Sequence, residues 1–372
     1  MAVSLTRRQM LFHSSVALGG AILAGRVGSA GELISETDAS SDEALRMMWN
    51  ENPYGPSEAA RAAMTEAFDE ANNYADEAIG EMRSVFAERV GLSSDHILLG
   101  SGSTEILQVV ALASGIDGSE VVSADPTFQV LNTYAENIGG TVHRVPVDDA
   151  LQLDLEAMSE KVNENTKLIY ICNPNNPTGT IVPDTELRPF CEEMSKRALV
   201  VVDEAYHEYV EHPGYRSLVD LVRDGRNVIV TRTASKIHGL AGLRVGFGIA
   251  QPELVEQLGN RLTGTMNIMG LRAAIASYRD REFQTYCFDK NKQSKSIVYK
   301  TLRELNCRYV KSETNFVFFE TGVHIEQIQK GMKSRGIRVG RAFPPYFKWC
   351  RLSMTRPDEM RRFSVALKRI MT

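Results

Sequence analysis

Cysteine is scarce and scattered in this chain: Cys172, Cys191, Cys287, Cys307 and Cys350 among 372 residues, an odd count with no paired spacing. That excludes a disulfide scaffold and offers no zinc-ligand pattern, so buried structural thiols are the expected reading. Charge of one sign is not concentrated either. The 42 Lys and Arg against 47 Asp and Glu leave a formal −5, with no long basic run. Nucleic acid and an anionic membrane are therefore not expected partners. His207, His212 and His238 lack the spacing and acidic neighbours of a ligand set, and no metal is expected. Long apolar runs are missing as well, so no stable membrane span is expected. What remains is ordinary globular composition, 43% hydrophobic and 24% charged, in a chain long enough for two domains.

The first 30 residues differ from the rest. They hold Arg7, Arg8 and Arg26 but no acidic residue, then an uncharged Gly/Ala-rich run, Met10–Gly25, and small residues at Gly28-Ser29-Ala30. Basic start, apolar middle and small-residue end are the order of a secretory signal. Thr6-Arg7-Arg8-Gln9-Met10-Leu11 resembles the twin-arginine export consensus. The expectation is a signal over 1–30, a polar acidic linker over 31–46, and an exported, periplasmic protein, with a cytoplasmic one as the alternative.

From about Met47 the pattern is strand, helix, strand. Apolar β-type runs occur at His96–Leu99, Glu120–Ser123, Thr141–Val145, Lys167–Cys172, Ala198–Asp203, Asn227–Thr231 and Arg244–Ile249. Helical patterns lie between them at Glu105–Ala113, Val130–Ile138, Leu155–Val162 and Glu186–Ser195. This alternation predicts an α/β fold, a mostly parallel sheet with helices on both faces, over 47–265. The texture then changes. A helical stretch from Met269 through about Leu305, strands at Asn315–Phe319, Ile337–Val339 and Cys350–Met354, and a last helix, Pro357–Ile370, predict a smaller α+β domain over 266–372.

In open parallel sheets ligands bind beyond the carboxyl ends of the strands. Gly100-Ser101-Gly102-Ser103-Thr104 leads from a strand into a helix, offering free N–H groups to a phosphate. Asn173-Pro174-Asn175-Asn176-Pro177-Thr178-Gly179 is a rigid loop that holds an amide donor, Asn176. Asp203 ends an apolar run, where a carboxylate must be paired or functional, and Tyr206 follows it. Thr233, Ser235, Lys236 and Arg244 bring hydroxyls, an amine and a guanidinium to the same rim. Together they suit a phosphorylated, electron-withdrawing aldehyde. The amine would bond the aldehyde, and the carboxylate would keep a pyridine nitrogen protonated. Arg244, the hydroxyls and the helix N-terminus would hold the phosphate.

The strings NPNNPTG, VVDEAYHEYV and TASKIHGLAGLRVGFG resemble the aspartate-aminotransferase superfamily of pyridoxal-phosphate enzymes, class I/II. Trp49-Asn50-Glu51-Asn52-Pro53-Tyr54-Gly55-Pro56 resembles the opening of its histidinol-phosphate aminotransferase subgroup. The resemblance implies Lys236 as the Schiff-base lysine and proton carrier. Asp203 would pair with the ring nitrogen, and Asn176 and Tyr206 would contact the ring oxygen. Ser103, Thr104, Thr233, Ser235 and Arg244 would bind the phosphate, and Phe128 would stack on the ring where many relatives have Tyr or Trp. It also implies a homodimer in which Tyr74 reaches the neighbouring phosphate. Arg351 would clamp the substrate's acidic group, with Asn52 and Tyr54 lining that pocket. Arg341 lies about one position from where the subgroup has a second arginine. The implied activity is amino-group transfer between an amino acid, or a histidinol-phosphate-like amine, and a 2-oxo acid. A lyase or decarboxylase on the same frame, or an exported cofactor-binding module without turnover, are the alternatives.

Overall fold

The computed structural model describes residues 44–115 and 118–371. The expected signal and all but the end of the expected linker lie outside them. Strands comprise β1 (Leu45–Met47), β2 (Ile97–Gly100), β3 (Glu120–Asp125), β4 (Thr141–Pro146), β5 (Thr166–Cys172), β6 (Leu199–Asp203), β7 (Val228–Thr233), β8 (Gly246–Ile249), β9 (Phe316–Glu320), β10 (Ile337–Val339) and β11 (Trp349–Ser353). Helices comprise α1 (Glu58–Glu66), α2 (Asp76–Val90), α3 (Ser103–Ala113), α4 (Val130–Asn137), α5 (Leu155–Lys161), α6 (Asp184–Met194), α7 (Val219–Arg223), α8 (Pro252–Gly259), α9 (Ile268–Arg279), α10 (Arg281–Glu304), α11 (Ile325–Lys333) and α12 (Pro357–Met371).

Seven strands form one sheet in the order β2-β8-β7-β6-β5-β3-β4. Its pairs are parallel except those of β8, which runs antiparallel to both β2 and β7. Every residue of β7 and nearly every one of β5 and β6 is buried, as strands covered on both faces require. One face packs on the core built from Met82, Phe86, Ile171, Val202 and Phe247, where the Phe86 and Phe247 rings stack at 3.8 Å. The other packs on Ile106, Leu107, Val110, Leu131 and Tyr170.

A separate core gathers Val298, Leu302, Val317, Phe319, Ile328, Leu352, Phe363 and Leu367 between α10, α11, α12 and the antiparallel pair β9–β11. Met47 belongs to this core, because β1 pairs in parallel with β10 from Leu45↔Ile337 to Met47↔Val339. The last residues of the expected linker are therefore a strand. Their apolar side chains find a partner edge some 290 residues away in sequence, a contact no local pattern carries. The helical stretch expected to continue through about Leu305 is two helices. Asp280 ends α9 and caps α10, its carboxylate accepting from the Phe283 N–H at 3.0 Å. Leu271, Ala273, Ala274, Ile275 and Tyr278 of α9 bury into the large sheet's core, not the second one. Among the described residues no helix is long and apolar enough to cross a membrane.

Candidate active site

The parallel strands all end at one edge of the sheet, and the chemistry expected from their ends meets there. Ser103 and Thr104 follow β2, Thr127 and Phe128 follow β3, Cys172 ends β5 and Asn176 lies in the loop after it, Asp203 ends β6, Thr233 ends β7, and Ser235 and Lys236 follow it. All of them line one cavity of about 260 Å³, together with Trp49, Asn50, Ala205, Tyr206, Arg244, Arg341, Phe343 and Arg351.

Arg244 was expected inside a strand. It sits just before β8 with φ 55°, in the left-handed region. Because β8 is reversed, its leading residue reaches the same rim as the trailing residues of its neighbours. The Arg244 guanidinium donates to Ser235 Oγ (3.3 Å) and to the Ala241 and Ser101 carbonyls (2.9 and 3.2 Å). Two glycines make this possible. A Cβ on Gly102 (φ 77°) would stand 2.1 Å from Arg244 Nη2, and one on Gly246 would stand 2.1 Å from the Ser103 backbone nitrogen. The N-terminus of α3, the Ser103, Thr233 and Ser235 hydroxyls and Arg244 thus form a cup for an anion.

Asp203 is 2% exposed. It accepts from Thr231 Oγ1 (3.0 Å), the Ala205 N–H (3.2 Å) and Tyr170 OH (3.3 Å). Burial nevertheless raises its carboxyl to about 6, against the lowering effect of those bonds. Lys236 Nζ donates to the Asn50 and Trp49 carbonyls at 3.2 and 3.4 Å. Burial pushes its amine down to about 8, and the Arg351 charge acts in the same direction. Arg351 donates to Asn176 Oδ1 (2.6 Å) and the Met48 carbonyl (2.7 Å), and faces the Phe343 ring at 5.0 Å. Arg341 lies 4.3 Å over the same ring. The cavity therefore offers a phosphate cup at one end and two guanidiniums in its wall. Between them stand an amine lowered to about 8 and a buried carboxylate.

Residues 43–367 match the family model described as aminotransferase class I and II. The chain belongs to that family. Among curated relatives of this class I/II aminotransferase, the histidinol-phosphate aminotransferase of Brevibacillus brevis is 37% identical over 301 residues, 80% of this chain and 82% of its own. That of Moorella thermoacetica is 34% identical over 333 residues, 88% of this chain and 86% of its own. Among solved structures, histidinol-phosphate aminotransferase from Sinorhizobium meliloti in complex with pyridoxal 5'-phosphate superposes with a TM-score of 0.83 at 26% identity, covering 88% and 91% of the two chains. Aspartate aminotransferase from Thermus thermophilus with maleate shares the fold, with a TM-score of 0.79 at 18% identity over 88% and 92%.

The class I/II aminotransferases are pyridoxal-phosphate enzymes, and the cavity fits that group. The test is the cup that a Cβ at Gly102 or Gly246 would fill, with a buried carboxylate and an amine both facing the same space. Two expected pocket residues are elsewhere. Asn52 and Tyr54 do not line the large cavity; they line a small one beneath it, where the Asn52 amide donates to the Ile237 carbonyl and Cys287 Sγ. The turn at Asn50, φ 55°, directs the chain away after that residue. Tyr74 is 87% exposed and outside the cavity of its own chain.

Sequence reasoning passed over Asn50. It is buried, its amide donates to Tyr206 OH (2.9 Å), its carbonyl accepts from Lys236, and its Oδ1 and N–H bond Ser353 Oγ (2.7 and 2.8 Å). The available signal was its position as the first Asn of the Asn50-Glu51-Asn52 string; Asn tolerates the left-handed conformation better than other side-chain-bearing residues.

Proposed function

We propose that this aminotransferase moves an amino group between an amine or amino acid bearing an acidic group and a 2-oxo acid, with Lys236 as the residue that holds the cofactor and carries the proton. The observation that supports this most directly is that Lys236, Asp203 and Arg351 line one cavity. Pyridoxal phosphate supplies an electron-withdrawing ring when bound. The chain's own groups do the rest. Asp203 holds a proton at the ring nitrogen, a role for which a donor-lined buried carboxylate is suited. Asn176 and Tyr206 would donate to the ring oxygen, and Phe128 would offer an apolar face. Ser103, Thr104, Thr233, Ser235 and Arg244 hold the phosphate. With the cofactor bound, Lys236 in its neutral form would be the base that takes the proton from the substrate's α-carbon and the acid that gives it back. Arg351 orients the acidic group by its planar fork, with Arg341 as a second cation.

The names of the curated relatives favour histidinol phosphate as one substrate, and two guanidiniums suit a phosphate-bearing amine. The test is the visible spectrum of the purified holoenzyme titrated with L-glutamate, L-aspartate and histidinol phosphate. Bleaching by one donor and recovery with a 2-oxo acid is the expected result. Release of ammonia or a decarboxylated amine would replace transfer by elimination or decarboxylation, and no response to any donor would favour the binding module.

Two further parts belong to this reading. Tyr74, Phe68 and Trp49 are exposed aromatics, at 87%, 64% and 60%. They support a homodimer in which Tyr74 enters the partner's site; light scattering should give twice the chain mass. Residues 1–30 are read as a twin-arginine signal and the protein as periplasmic. A reporter fused to them should cross the inner membrane, and changing Arg7 and Arg8 to Lys should retain it in the cytoplasm.

A further inference from the structure

Beneath the opening segment lies a second, small cavity of about 10 Å³, walled by Asn52, Tyr54, Tyr209, Cys287, Met354 and their neighbours Asn291, Asn315 and Thr355. Four of the residues that line it carry a buried polar atom with no partner in the protein: Tyr54 OH, Asn291 Oδ1, Asn315 Oδ1 and Thr355 Oγ1. One unpaired polar atom in a native interior needs an explanation; four around one small space point to something they share. Their chemistry is restrictive. The Asn291 amide nitrogen donates to the Thr314 carbonyl at 3.1 Å and that of Asn315 donates to the Asn50 carbonyl at 3.0 Å. Each amide nitrogen is thereby engaged, which leaves its oxygen as a free, pure acceptor. The two hydroxyls each carry a proton with no acceptor.

We propose that this cavity is a binding site for a single ordered water, which donates to the two amide oxygens and accepts from Tyr54 and Thr355. Two donors and two acceptors on the occupant match two acceptors and two donors on the wall, and the volume admits one molecule and no more. No carboxylate lines the cavity, so a bound cation would leave both hydroxyl protons unpaired and its own charge uncompensated. The water joins four stretches separated in sequence: the opening segment at Tyr54, α10 at Asn291, the β9 margin at Asn315 and the β11 margin at Thr355. It also reaches the large cavity. Asn315 holds the Asn50 carbonyl, which is the nearer of the two acceptors of Lys236 Nζ. The water thus positions, through Asn315, a carbonyl against which the Lys236 amine rests; this last step alone rests on the function proposed above.

Crystals of the holoenzyme grown in sodium chloride and in rubidium chloride test the site. The expected result is one solvent peak within hydrogen-bond distance of all four oxygens, with no rubidium anomalous signal. A rubidium peak would make it a cation site, and side chains collapsed onto one another with no peak would abolish it. Thr355→Val, nearly isosteric and outside the large cavity, should lower Tm of the full chain by about 2 °C; a Tm equal to or above the parent's counts against the water. This variant should keep the visible band of the bound cofactor, so loss of the water and failure of the transfer reading give different signatures.

Discussion

The phenol of Tyr170 donates to Oδ2 of Asp203 across 3.3 Å, and both residues are buried. Tyr170 lies on β5 and Asp203 on the adjacent β6, two positions beyond the residue paired with Tyr170, so the sheet brings a donor to the carboxylate diagonally across the two strands. Such a donor favours the ionised form, which is the form a protonated ring nitrogen needs beside it. Tyr170→Phe should raise the Asp203 pKa above its value of about 6. The measurement is the carboxyl carbon chemical shift of labelled apoprotein against pH. In the holoenzyme kcat should fall by about tenfold, one lost charged hydrogen bond, with little change in KM.

Cofactor capture should depend on pH through Lys236. An amine pushed down to about 8 is mostly protonated at pH 6 and mostly neutral at pH 9. The rate at which apoprotein gains its visible band should rise with pH and level off above about 8. Lys236→Ala should bind the cofactor without that band and retain less than about a thousandth of the turnover.

Asp203 sets an opposite trend in stability. Its folded pKa, about 6, lies above the unfolded carboxylate's 3.8. A folded state that binds the proton more tightly gains stability fully below the lower value and loses it as pH rises through the higher one. Apoprotein Tm should therefore contain a component that declines between about pH 4 and 6. Asp203→Asn should remove that component while weakening cofactor retention.

Gly246→Ala places a methyl 2.1 Å from the Ser103 nitrogen and 2.2 Å from the Gly102 carbonyl carbon, both backbone. Neither can swing aside as a side chain end would. The α3 N-terminus must shift, costing about 2–3 kcal/mol and loosening the phosphate cup. Equilibrium dialysis should show weaker pyridoxal phosphate binding than in the parent, and unchanged affinity would sink this account of the cup.

Asn50→Gly separates backbone from side chain. Glycine accepts φ 55° freely, so the turn and the backbone N–H bond to Ser353 Oγ survive while the side-chain bonds to Tyr206 OH and from Ser353 Oγ disappear. Turnover should fall by about tenfold, with the Lys236 pH profile retained because the Asn50 carbonyl remains.

Much of this site was legible in the sequence because its residues follow strand ends. Four apolar residues before Asp203, and the loops after β2, β5 and β7, carry both the fold and the chemistry in the same few letters. Asn50, the position of Arg244 just ahead of β8 and the second cavity were not legible for a common reason: each is defined by partners far along the chain. Asn50 bonds Ser353, 303 residues away, and Arg244 reaches Ser101 across 143. From sequence, Asn52 and Tyr54 were as good pocket candidates as Asn50.

The sequence by itself determined the alternating α/β order, the cofactor chemistry and the identity of Lys236 and Asp203, since local periodicity and short spacing specify strand ends. Only the tertiary structure decided which way the opening segment turns after Asn50, which side chains it aims at Lys236, and which it buries over Asn291, Asn315 and Thr355. Those choices depend on one left-handed residue and on hydrogen bonds closed across nearly the whole chain, and neither leaves a periodic trace in the letters.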